Sequence, residues 1–188
     1  MSKFVTSAVV VGSLLLPSAY AATYEIDPVH TYPSFEISHL GFSTMRGRFN
    51  ETKGTIDVDL EKQTGAVSIV INAASVDTAM AKRDDHLRSP DFLNVAEFPE
   101  ITYKSTKVTF NGKNKATVDG NLTIMGTTKP VKLDVTSINC GVHPMNKKEV
   151  CGFDAKASIK RSDFGITYGL PAIGDDMTLH IGAEGVKP

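Results

Sequence analysis

Apolar and polar residues alternate with a period of two through most of this chain, the mark of strands with one buried face and one wet face. "TIDVDLE" places Ile56, Val58 and Leu60 on one side and Asp57 and Asp59 on the other. "VSIVINA" aligns Val67, Ile69 and Ile71, and "VKLDVTS" aligns Val131, Leu133 and Val135 against Lys132 and Asp134. "FDAKASIK" sets Phe153, Ala155, Ala157 and Ile159 against charge, and "MTLHIGA" aligns Met177, Leu179 and Ile181. Turn signals punctuate these runs at Asn111-Gly112, Asp119-Gly120, Lys129-Pro130 and Gly174-Asp175. The pattern predicts an all-β protein of about eight strands, mostly antiparallel. Such a sheet closes into a barrel or packs as a sandwich. Its outer face of Asp, Lys, Glu and Thr excludes an outer-membrane barrel, which must turn apolar residues toward lipid.

One stretch breaks the alternation. "KRDDHLRSPDF", residues 82–92, gathers Arg83, Asp84, Asp85, His86 and Arg88. Its spacing predicts a short helix capped by Asp77 or Thr78 and running to about Arg88. Met80, Asp84 and Leu87 would share a side, and Asp84 and Arg88 form an i,i+4 pair. Ser89-Pro90 then reads as the start of a second short helix, with Phe92, Leu93 and Phe98 to bury. Inserted between two strands, such a unit can lid one end of a barrel.

The first residues change the setting. Lys3 is followed by "FVTSAVVVGSLLLP", an apolar run short for a bilayer span, and by small residues at Ala19 and Ala21. This reads as a signal peptide, residues 1–21, leaving one domain over residues 22–188. The chain has 188 residues with 20 basic and 21 acidic side chains, and loss of Lys3 leaves 19 against 21. That balance lacks the basic footprint of a nucleic-acid binder. After export, Cys140 and Cys151 are expected to form a disulfide at the mouth of a hairpin. Cys-x2-His-x7-Cys around His143 is not a zinc spacing.

Catalytic patterns are missing. His30, His39, His86, His143 and His180 show no H-x-H or H-x3-H spacing. There is no G-x-S-x-G elbow, dinucleotide fingerprint or phosphate loop. "RSDFG" lacks every other kinase element; Arg161 and Asp163 are expected to pair at a barrel rim while Phe164 enters the core. Arg83, Asp84, His86 and Arg88 are read first as groups that fix the lid, second as contacts for a ligand's polar head, and last as an active site.

Four blocks, "DPVHTYPSFEISHLGFSTMRGRF", "ASVDTAMAKRDDHLRSPDFLNVAEFPEITYKS", "VDGNLTIMGTTKPVKLDV" and "GFDAKASIKRSDFGI", span nearly all of the exported chain. In this order they resemble the YceI family of secreted, lipocalin-like polyisoprenoid-binding proteins. The resemblance implies an eight-stranded antiparallel barrel with a short helical lid, in the bacterial periplasm, holding a long isoprenoid such as ubiquinone or a polyprenyl phosphate. No metal, cofactor or catalytic residue is expected. Candidates to line the slot are Phe35, Ile37, Met45, Phe49, Ile69, Ile71, Phe110, Leu122, Ile124, Leu133, Phe153 and Leu179. Candidates for the headgroup or rim are His39, Arg83, His86, Arg161 and Asp163. The protein would exchange lipid with membranes without being embedded in them, and a homodimer stays open. The rival readings are an envelope enzyme acting on a quinone or lipid in the same cavity and a stress-related interaction protein.

Overall fold

A computed structural model describes residues 21–188, so the expected signal peptide, except for Ala21, lies outside the described residues. The strands are β1 Ala22–Ile26, β2 Ser34–His39, β3 Ser43–Phe49, β4 Thr52–Asp59, β5 Thr64–Asn72, β6 Val76–Asp77, β7 Glu100–Phe110, β8 Ala116–Ile124, β9 Thr127–Val142, β10 Glu149–Lys160 and β11 Ile173–Val186. Eleven segments reduce to eight staves. β1 and β2 both pair with β11, and their partners β4 and β3 are likewise halves of one stave. β5 and β6 form the third, pairing with β4 and β3. The staves then follow in chain order, β7 to β11, and β11 closes the ring on β1 and β2. Every pairing is antiparallel, giving the closed eight-stranded barrel that the family resemblance implies and one of the two packings the alternation allows.

The first stave breaks at residues 27–33, where Pro28 and Pro33 cannot donate to a ladder. Thr31 spans the gap. Its buried hydroxyl donates to Glu184 O at 3.2 Å and accepts from Glu184 N at 3.0 Å, replacing the missing rungs. Beside it, the exposed His30 Nδ1 lies 2.7 Å from Asp27 and 3.9 Å from Glu184. Asp27 holds His30 above its ordinary pKa, and the same bond holds Asp27 below its own.

Three expected turns lie inside strands. Asp119-Gly120 sits mid-β8, because the inward Gly120 makes room for the Tyr103 ring; a Cβ there would lie 2.5 Å from Tyr103 Cζ. Lys129-Pro130 sits in β9, in the portion that pairs only with β8, so one flank of the strand needs no N–H. The chain turns earlier, at Met125-Gly126, where both residues have positive φ. Gly174-Asp175 falls in the irregular start of β11, between Ile173 and Met177. Asn111-Gly112 does lie in a turn between β7 and β8. Leu60 follows the end of β4 and is exposed rather than inward.

The helix α1, Ala81–Arg88, sits between β6 and β7 as expected, but its cap differs. Met80 holds the N-cap position without a side-chain bond. Asp84, 7% exposed, instead reaches back to accept from both the N–H and the hydroxyl of Thr78. Arg88 consequently pairs with Asp85 at 3.0 Å, not with Asp84. Residues 89–98 form successive turns rather than a second helix, although Ser89 Oγ accepts from Asp91 N as a cap would. Phe92 and Leu93 fold under these turns against the core.

Candidate functional site: an apolar tunnel with a lidded mouth

Inward side chains of the staves do not fill the barrel. They surround a cavity of about 490 Å³, within the range of small-molecule pockets. The wall carries Phe35 and Ile37 from β2, Met45 and Phe49 from β3, Ile69 and Ile71 from β5, and Phe110 from β7. It continues through Leu122 and Ile124 from β8, Leu133 from β9, Phe153 from β10 and Leu179 from β11. All but Phe110 are on the faces that unbroken strand parity assigns; Phe110 faces inward with parity opposite to Ile101 because β7 shifts register between Ser105 and Lys107. Ile56, Val67, Ile101 and Val118 share the wall by the same alternation, and Ile138 joins it with parity opposite to Leu133 because the β9–β10 register shifts between Val135 and Ser137. Phe92 and Tyr168 also line it, from turns where no period announces direction.

The far end is blocked. Tyr24, Val58 and Cys151 pack there with Ala22, Phe110 and Phe153. Cys140 and Cys151 face each other across β9 and β10 and form the expected disulfide, with Cα atoms 4.0 Å apart. Near mid-barrel the Tyr103 hydroxyl lies 3.0 Å from Val118 O and 3.1 Å from Val131 O, and burial pushes its pKa well above the ordinary tyrosine range. The phenol is therefore a neutral donor committed to the wall.

The other end is the mouth. His39, Arg83, His86 and Tyr168 line the tunnel here. The His86 ring stands edge-on to Phe92 and Tyr168, with centroids 5.0 and 5.1 Å away, and its Nε2 lies 3.0 Å from Asp91. These rings form a partial gate of flat surfaces over the opening. Arg83 gives Nε to Thr78 Oγ1 at 2.7 Å and Nη2 to Thr78 O at 2.6 Å. Arg88 gives Nε to Ala74 O and Nη2 to Val76 O at 2.7 and 3.0 Å. Arg83 and Arg88 thus tie the lid to backbone carbonyls.

The expected pairing of Arg161 with Asp163 does not form, although Arg161 does line the tunnel. Arg161 is 2% exposed and bonds to four carbonyls: Gly174 at 2.8 Å, Ile166 at 3.1 Å, Tyr168 at 2.8 Å and Ile173 at 3.1 Å. Burial lowers its pKa. Four of its five N–H donors thus organise the loop of residues 161–172 and the start of β11. Asp163 is exposed, does not line the tunnel and has no bond to Arg161. The carboxylate beside the 3-10 turn Arg161–Phe164 is Asp175, which accepts from Ser162 N and Oγ at 2.9 and 2.8 Å. Phe164 does enter the core.

Elsewhere, donor atoms of Asp27, His30 and Glu184 lie within 4.8 Å of one another. They form the ion-paired clamp at the break of the first stave. Among the described residues no helix is long and apolar enough to cross a membrane.

The geometry agrees with known proteins. The YceI-like domain matches residues 24–185. Protein YceI of Salmonella arizonae is 44% identical over 174 residues, covering 90% of each chain. BcnA of Burkholderia cenocepacia superimposes with a TM-score of 0.76 at 22% identity, over 85% of this chain and 98% of its own. A polyisoprenoid binding domain from Saccharophagus degradans, implicated in plant cell wall breakdown, superimposes with a TM-score of 0.68 at 16% identity. That match covers 90% of this chain and 100% of the other.

Proposed function

The chain belongs to the YceI-like domain family, and on that premise we propose that it is a periplasmic carrier that encloses a long isoprenoid chain in its tunnel. The observation that carries this reading is the vacant, hydrocarbon-walled cavity of about 490 Å³ running from a lidded mouth to a blocked end. Each methylene it removes from water contributes about 0.8 kcal/mol, so roughly ten supply about 8 kcal/mol before ordering costs. No catalytic group is needed for that. The Saccharophagus relative is itself a polyisoprenoid binding domain on the same fold, which supports the ligand class.

An isoprenoid quinone is the favoured cargo, with a polyprenyl phosphate second. Its chain lies along the tunnel and its polar head rests at the mouth. There His39, Arg83 and His86 supply donors, and the His86, Phe92 and Tyr168 rings offer edges and faces to a flat ring. The signal peptide read at residues 1–21 supports export to the periplasm.

Organic extraction of gently purified, folded protein followed by mass spectrometry tests the reading. A bound isoprenoid near one per barrel is expected, and an empty extract overturns the carrier role.

A further inference from the structure

We infer that the mouth docks on a lipid bilayer, with the β2–β3 turn as the inserting tip. The inference rests on the carrier reading, because it names the surface from which cargo enters. Phe42, at the apex of that turn, is 89% exposed, and Leu40 beside it is 50% exposed. Isolated apolar residues on a surface carry little meaning, but an apolar cluster around an opening does. Leu40 N donates to Ala172 O at 2.9 Å, tying the turn to the 161–172 loop, where Tyr168 is 50% exposed and Pro171 and Ala172 are exposed. The turn holds its shape: Leu40 and Gly41 have φ of 54° and 73°, and Phe42 N bonds to His39 O at 3.0 Å.

Position distinguishes this patch from other exposed apolar side chains. His39 precedes Leu40 and lines the tunnel, and Tyr168 is itself both exposed and part of the tunnel wall. The exposed apolar side chains of the tip therefore adjoin residues that line the tunnel mouth. At the far end Met145 is 86% exposed, yet it sits beside Lys147 and Lys148 on a turn beyond the packed block and does not line the tunnel.

The occupant is a bilayer rather than a second copy. A few side chains on two narrow turns offer far less than the ~800 Å² per partner that a stable dimer buries. Interfacial lipid needs no complementary shape, and its hold scales with the apolar area inserted. A small tip therefore suits a carrier that must also depart. The charged neighbours are mixed: Arg46 pairs with Glu36 and Lys160 with Asp176. Insertion, not surface charge, should dominate.

The test uses the exported chain and vesicles of phosphatidylethanolamine and phosphatidylglycerol loaded with a long-chain isoprenoid quinone. Leu40→Ser/Phe42→Ser should lose at least tenfold in vesicle association and in quinone uptake. In detergent solution the same variant should bind the quinone within twofold of wild type. Met145→Ser should match wild type in both assays. The inference is overturned by wild-type protein that ignores vesicles, by equal vesicle association of the tip variant, or by a concentration-dependent dimer that the tip variant abolishes. Failure of wild-type protein to bind the quinone in detergent would instead sink the carrier reading, with vesicle association judged separately.

Discussion

At the far end of the barrel the staves turn back through short connections, and Tyr24, Val58, Phe110 and Phe153 meet across the interior beside a disulfide. At the lid end the chain leaves the barrel twice for long excursions, residues 78–99 and 161–172, and exposes Leu40, Phe42, Met80 and Tyr168. The same alternating strands run between the two. One end is sealed by apolar packing. The other is held ajar by cations: Arg83, Arg88 and Arg161 each bond to backbone carbonyls that no ladder satisfies. Irregular backbone around an opening carries unpaired carbonyls, and a guanidinium with five donors can answer several at once. Charge at this mouth is first a building material.

The sharpest way to break that contrast is to remove the buried cation. Arg161→Met should destabilise the protein by about 3 kcal/mol or more, because four carbonyls lose their donors inside the fold. Urea unfolding measures it, and a loss below about 1 kcal/mol would show that the loop does not need the guanidinium. At the sealed end, Cys140→Ser/Cys151→Ser should cost about 2–3 kcal/mol through the loop it closes. Isoprenoid affinity should nonetheless survive. A large drop in affinity would mean the far end shapes the tunnel as well as closing it.

Between the ends, Leu133→Phe adds volume to the wall. In a filled core this would cost about 1–3 kcal/mol of stability. With a vacant tunnel the expected cost is below about 1 kcal/mol, while ligand affinity falls about tenfold, some 1.4 kcal/mol. Unfolding curves and quinone titration together separate the outcomes, and unchanged affinity would place the ligand elsewhere.

The smallest effect belongs to the clamp at the first stave. The folded pKa of His30 lies above the ordinary histidine value of about 6.5, so its pairing stabilises fully below about pH 6.5 and fades as pH rises through the folded value. Asp27 lies below 3.8, so its contribution is present above that pH and is lost as acid protonates it. The melting temperature should therefore decline slightly from about pH 6 to pH 8, and His30→Ala should flatten that slope. An equal slope in the variant would assign it to other groups.

How much was legible follows from the kind of signal each part left. A strand displays its facing every second residue, so Phe35, Ile37, Ile69, Leu133 and Leu179 could be assigned to the inner face before any coordinates. Phe92 and Tyr168 reach the same tunnel from turns, where side-chain direction depends on the whole path of the chain. Turn dipeptides misled when tertiary contact outweighed local preference. Gly120 is a strand residue because Tyr103 lies over it, a neighbour on β7 that no local window contains. Arg161 and Asp163 misled for a related reason. Opposite charges close in sequence suggest a pair, yet the carbonyls around residues 166–174 compete better for a buried guanidinium.

The sequence alone determined the staves, most of their inner faces, the lid's place between two strands and the pairing of its two cysteines, because period and helical spacing are local properties and two cysteines allow one internal pair. Only the tertiary structure decided that the inner faces stand apart around open space, which end is sealed, and whether each charge meets ligand or backbone. Those outcomes depend on closure of the ring, which brings residues far apart in the chain to fixed distances that no local pattern encodes.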